Sequence, residues 1–281
     1  DGGTGFTMGN SVTLAGSGET DGGVTVSLSY ELDNNSANTT SSPFDNHSLS
    51  VSSDALGTLK ISGHGGASAA SALDTSAAGD IWDTFDGARA NSVSGVAVSD
   101  SSPGNNGIFY TAPSLMDDLT LTVSYSPQAA SARTVDSELG YAVTYTGVDG
   151  LTASYGITDI EGASANASGD QTVWKLAYAY GPVTATASSS DYDLGLNTSD
   201  QTLSSMAISY TVTDDLSLTY GEDTIEKGGD PTDAEYSIIK AAYTTGGMTI
   251  TATMKDAENI NHTTAANEDM EYWSLGASFA F

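Results

Sequence analysis

The chain ends Tyr272-Trp273-Ser274-Leu275-Gly276-Ala277-Ser278-Phe279-Ala280-Phe281. Counted back from the end, Phe281, Phe279, Ala277, Leu275 and Trp273 are apolar, and the residues between them are small or polar. A strict period of two places the two sets on opposite faces of a β-strand. A soluble domain rarely ends on a bare aromatic strand, because terminal residues fray. A transmembrane β-barrel needs such a strand, since its last segment closes the cylinder and shows an apolar face to lipid. The last strand of a soluble sandwich can carry the same pattern, so the rest of the chain decides.

Composition narrows the choice. A length of 281 residues suits one large β domain, and apolar residues make up 38% of it, below the usual range of about 45–50%. A barrel with a wet lumen needs only one apolar face per strand. No apolar run reaches the length of about 18 residues that a transmembrane helix requires. No basic-plus-apolar leader opens the sequence, so Asp1 is expected to be a mature or trimmed start. Cysteine is absent, which excludes a disulfide scaffold. The net charge of −29, from 36 acidic and 7 basic residues, excludes nucleic acid as a partner.

Tight-turn signals recur along the chain: Thr20-Asp21-Gly22-Gly23, Asp54-Ala55-Leu56-Gly57, Met116-Asp117-Asp118, Val148-Asp149-Gly150, Gly181-Pro182, Asp214-Asp215 and Gly246-Gly247. Their spacing is roughly 32–33 residues, with one gap of about twice that between Gly57 and Met116. Between them run alternating strands, such as Leu119, Leu121, Val123 and Tyr125 interleaved with Thr120, Thr122 and Ser124. The pattern is a meander of hairpins. Polar segments at 34–45, 63–105, 127–137, 161–170, 193–202, 226–234 and 256–267 supply longer loops at the other strand ends.

Alternation alone suits a sandwich as well as a barrel; aromatic placement separates them. Tyr145, Tyr180, Tyr210 and Tyr243 lie on the apolar face just before a short turn. Tyr30, Tyr125, Tyr155 and Tyr220 lie on the same face some way after one, and Trp273 and Phe281 extend the set. Two outward aromatic bands are what two bilayer interfaces select. The sequence therefore predicts an all-β, antiparallel transmembrane barrel occupying 1–281 as one domain, with short turns on the periplasmic rim. Fifteen strands are countable, the first at 4–17; bacterial single-chain barrels have even numbers, so a first strand upstream of Asp1 and a total of sixteen are expected. The smallest outward residues lie at 5–17, 48–52 and the strand from 58. That side is expected to be covered by protein.

A loop of about forty residues is long enough to read as functional. The chain here resembles the sixteen-stranded general diffusion porins, especially the Rhodobacter-like kind of α-proteobacteria. Leu56-Gly57-Thr58-Leu59-Lys60-Ile61-Ser62-Gly63 is similar to that family's turn and strand before its third loop, Gly79-Asp80-Ile81-Trp82-Asp83-Thr84-Phe85 to its constriction loop, and Phe281 to its closing strand. These motifs cover about a tenth of the chain; their order and spacing carry the resemblance. It implies a homotrimer in the bacterial outer membrane, assembled by the barrel-assembly machinery, whose third loop (63–105) folds into the lumen.

On that reading, Leu73, Ile81, Trp82 and Phe85 pin the loop to the inner wall, while Asp74, Asp80, Asp83 and Asp86 face the channel. Clustered carboxylates favour cations in a wet pore. The family sets basic residues on the facing wall, and this chain departs from that pattern with only seven in all. By alternation Lys60, Lys175, Lys240 and Lys255 point inward, and Arg89 lies in the loop.

Other chemistry is missing. His47, His64 and His262 are expected in loops or strand ends, without metal-ligand spacing, and the lack of a strand-borne His argues against a phospholipase barrel. No cofactor is implied, although acidic stretches such as 191–193 and 222–223 leave Ca²⁺ or Mg²⁺ binding open. The function expected is a passive, water-filled, cation-preferring pore for small hydrophilic solutes, not an enzyme. Two alternatives stay open: a substrate-specific channel of the same fold, and a surface adhesin or structural barrel.

Overall fold

A computed structural model describes residues 11–32, 44–85, 98–101, 106–113, 116–127, 135–162, 164–196, 198, 200–262 and 269–279. Its strands are β1 (Val12–Glu19), β2 (Thr25–Leu32), β3 (Phe44–Ser53), β4 (Gly57–His64), β5 (Gly107–Thr111), β6 (Leu119–Ser126), β7 (Val135–Val148) and β8 (Leu151–Gly162). Then come β9 (Gly169–Tyr180), β10 (Val183–Leu194), β11 (Gln201–Thr213), β12 (Leu216–Lys227), β13 (Ala234–Thr245), β14 (Met248–Glu258) and β15 (Met270–Phe279). They form one antiparallel sheet in sequence order, each strand paired with its neighbours. Among the described residues β1 and β15 are the two edges. The fifteen expected strands are all there, and every tight turn read from the sequence joins the hairpin it was assigned to.

Register fixes the faces, because residues directly opposite share one side of the sheet. The row Ser27–Ser50–Lys60–Phe109–Ser124–Gly140–Thr158 runs along the inner face. Further round, Lys175, Ser188, Ser205, Asp223, Tyr236 and Ala257 share it. Outward stand Tyr30, Tyr125, Tyr145, Tyr155, Tyr180, Tyr210, Tyr220, Tyr243 and Trp273, all exposed. Phe281 lies outside the described residues. An exposed ring of this kind is costly in water and favourable at a bilayer interface.

Two expectations change. His47 is neither in a loop nor at a strand end: it lies inside β3, opposite His64, which ends β4 as expected. A register shift beside His47 extends β4 to His64, and the His47 ring lies over Gly63, where any Cβ would collide with it. The ring stacks on Tyr30, 3° from parallel, on the outward face. The outward neighbours there are Leu28, Leu49 and Ile61, so no serine stands beside this histidine for a nucleophilic pair. His262 is outside the strands and contacts the Thr232 carbonyl.

The inner wall is also not uniformly small and polar. Leu203, Ile225, Ile238, Ala257 and Tyr236 are inward and buried, with Ile260 just beyond β14. They break the Ser/Thr/Gly pattern where something covers them, and that cover is the long loop.

Candidate functional site

The loop after β4 crosses the inner face as two short 3-10 turns, Ser71–Leu73 and Ile81–Thr84. Its apolar residues decide where it lies. Ile81, Trp82 and Phe85 are buried against Leu203, Ile225, Ile238, Ala257 and Tyr236, and the Phe85 and Tyr236 rings are 6.0 Å apart. Leu73 sits over Gly156. The four apolar residues read as pins are thus on the wall.

Polar side chains from successive strands receive the loop backbone. Ser124 Oγ accepts from the Ala69 N–H at 2.7 Å, and Ser188 Oγ donates to the Thr75 carbonyl at 2.9 Å. Ser205 Oγ accepts from Ala77 and Ala78 at 2.8 and 2.9 Å. Asp223 Oδ2 accepts from the Ile81 N–H at 3.2 Å. Higher up, Gln171 and Gln201 accept from Ser101 and Ser99 on the loop's return. Buried backbone groups must find partners, and these side chains of β6 and β9–β12 supply them.

The carboxylates are on the other side. Asp80 and Asp83 are exposed, as is Asp74. Asp74 and Asp80 have φ of 59° and 38°, the left-handed region that non-glycine residues avoid unless held. Burial, then the charges of Asp74 and Asp83, raise the Asp80 pKa above the ordinary carboxylate value. Asp86 and Arg89 lie outside the described residues.

The wall lysines are where alternation puts them, with a division of labour the sequence does not reveal. Lys175 Nζ binds Asp74 Oδ2 at 2.5 Å and donates to the carbonyls of Asp74 and Ser76 at 3.2 and 2.9 Å. Lys255 Nζ is bonded to Thr84 Oγ1. Both are spent holding the loop. Lys60 and Lys240 share the inner face and make no hydrogen bond or ion pair among the described residues. Lys175→Met should free the Asp74 turn. The expected result is a lower melting temperature by a few degrees and noisier single channels; an unchanged trace would show that Lys175 is not a clamp.

Among the described residues no group of three or more His, Cys, Asp or Glu is arranged to hold a metal ion. In the acidic stretches, Asp191 accepts from Thr202, and Glu222 is bonded to the Tyr220 hydroxyl.

A sheet with a lipid-compatible outer face, a polar inner face and a loop fastened across the inside is the architecture of an outer-membrane diffusion channel. The Gram-negative porin family matches the chain over residues 1–281, and the chain belongs to that family. It is an outer-membrane protein of a family whose members are passive channels rather than enzymes. Among solved structures, a porin refined at 1.8 Å has 18% identity and a TM-score of 0.67, covering 96% of this chain and 92% of that one. A mutant of the Rh. blastica porin has 18% identity and a TM-score of 0.61, with 96% and 89% covered. The anion-selective porin from Comamonas acidovorans has 14% identity and a TM-score of 0.61, with 91% and 80% covered. At these identities the likeness is one of fold. No curated protein matches the sequence.

Proposed function

We propose that this porin prefers cations and that loop residues 63–105 form its constriction, with Asp74, Asp80 and Asp83 on the lumen side. The observation that carries the reading is the split of the loop into a buried apolar face and an exposed acidic face, with two wall lysines committed to the loop. Lys60 and Lys240 alone of the named wall residues are left to oppose those carboxylates. Selectivity follows from the sign of the fixed charge in a narrow wet passage. One solved relative is described as anion-selective, so the reading rests on the residues in the passage and not on the fold.

The raised Asp80 pKa gives a pH test. A raised value means that Asp80 takes up its proton earlier, as pH falls, than an ordinary carboxyl does. Cation preference should therefore begin to weaken at higher pH than for carboxylates with the ordinary value. The folded state gains over the same interval, because ionised Asp80 is the form that burial and its acidic neighbours disfavour. Reversal potentials in a salt gradient, taken between neutral pH and pH about 4, check this. A preference constant throughout would place the selective charges elsewhere.

Small solutes and cations are the cargo of this reading, and a homotrimer is its assembly. The outward positions of β1–β4 hold Val12, Leu14, Gly16, Gly18, Val51 and Leu59, with no aromatic at the short-turn end. On later strands Tyr145, Tyr178, Tyr210 and Tyr243 fill that level. A wall that lacks the girdle at one rim suits a protein neighbour better than a lipid one. Mass measurement in mild detergent should give three copies, and a crosslinkable cysteine at Leu14 should join them. A stable monomer contradicts the assignment. Assembly by the barrel-assembly machinery belongs to the same reading and rests on the aromatic last strand.

A further inference from the structure

The turn that carries Asp80 is supported from behind by three residues of the inner face that lie beneath the loop. Ser205 on β11 and Asp223 on β12 are opposite one another, and Gly221 is two residues from Asp223 on the same inner face. Ser205 accepts the Ala77 and Ala78 N–H groups. Asp223, wholly buried, accepts the Ile81 N–H. Gly221 leaves the space into which Ala78 leans: a Cβ there would lie 2.7 Å from the Ala78 Cβ. Between these supported points the backbone passes through two left-handed residues, Gly79 at φ 85° and Asp80 at φ 38°. Such a turn persists only where its surroundings over-determine it. The support is on the wall, and the carboxylate it projects is on the lumen side.

We propose that Ser205, Gly221 and Asp223 are the positioning residues of the constriction, a seat that sets how far Asp80 and Asp83 stand off the wall and so fixes the aperture. The inference rests on the reading of the loop as the constriction, and it adds that the aperture is written into residues the permeating solute does not meet. Filling the seat and emptying it have opposite consequences. A side chain at Gly221 cannot move the strand backbone, which is fixed in a ladder on both sides. The contact therefore pushes Ala78, and the loop with it, toward the lumen. Removing the Asp223 carboxylate leaves the Ile81 N–H without an acceptor and lets the turn drift.

The test is single-channel recording of the full chain in planar bilayers, with barrel assembly checked by its heat-dependent gel migration. Gly221→Val should lower conductance by roughly half, since the pore's open diameter limits flow. Asp223→Ala should raise open-channel noise and bring cation preference toward unity. Asp223→Asn keeps an oxygen acceptor and should recover most of what Asp223→Ala loses, whereas Asp223→Leu, which fills the volume without an acceptor, should not. If Gly221→Val fails to assemble, Gly221→Ala supplies the smaller wedge, with the same direction expected. Wild-type conductance and selectivity in both Gly221 and Asp223→Ala variants, alongside an altered preference in Asp80→Asn/Asp83→Asn, would overturn the seat and leave the constriction reading standing. No effect from Asp80→Asn/Asp83→Asn would overturn both.

Discussion

Replacing Asp80 and Asp83 together with Asn lowers the cation-to-anion permeability ratio several-fold and leaves the barrel assembled. Both side chains are exposed, while the turn that carries them is held by neighbouring backbone and wall contacts. The substitution therefore changes charge without touching the packing. A unit charge ~7 Å from an ion in water biases it by about 0.6 kcal/mol, close to threefold in local concentration. Two such charges acting together give the several-fold change. Screening limits it: the Debye length is about 8 Å at ~0.15 M salt and shorter above that, so the wild-type preference should shrink as salt rises. Reversal potentials of the two proteins at low and high salt measure both effects. Equal potentials at low salt would remove these two residues from the passage.

The second large effect is on attachment of the loop. Phe85 is 1% exposed and packs with Ile81, Trp82 and Tyr236 on the inward apolar patch of β11–β14. Truncating a buried Phe to Ala costs about 3–5 kcal/mol. The barrel's ladders do not depend on this side chain, so the loss falls on the loop's docking equilibrium rather than on the sheet. The chain has no cysteine, which makes a single engineered thiol a clean reporter. With Ile81→Cys, buried completely as Ile81 is, labelling requires the loop to lift. Adding Phe85→Ala should speed that labelling by about a hundredfold or more. An unchanged rate would mean that the apolar face does not hold the loop down.

The strands were legible because a half-lipid, half-water wall enforces a period of two over its whole length. The segments Val148-Asp149-Gly150 and Gly246-Gly247 mark turns by backbone chemistry that tolerates few other residues. The loop's two-sided nature was legible too, in the interleaving of Ile81, Trp82 and Phe85 with Asp80 and Asp83. What the sequence does not show is the receiving surface. Ser205 and Asp223 lie more than a hundred residues from the loop backbone they accept, and nothing local distinguishes them from other inward polar residues. The Ile238-Ile239 doublet was a signal: two successive apolar residues in a strand mean that both faces are covered, one by lipid and one by the loop. Alternation puts Lys175 and Lys255 on the inner face, but it gives direction and not partner. They read as wall charges and are clamps. His47 departs from the expectation because its ring lies over Gly63 beside a register shift inside β3, a tertiary fit that propensity does not encode.

The central claim is a cation-preferring passage whose sign comes from the loop carboxylates. Its most direct measurement is the zero-current potential of the purified wild-type protein in a planar bilayer under a KCl gradient at neutral pH. The account predicts that the dilute side becomes positive, as K⁺ crosses faster than Cl⁻, with the potential falling as total salt is raised. A potential of zero, or one with the dilute side negative, would contradict it.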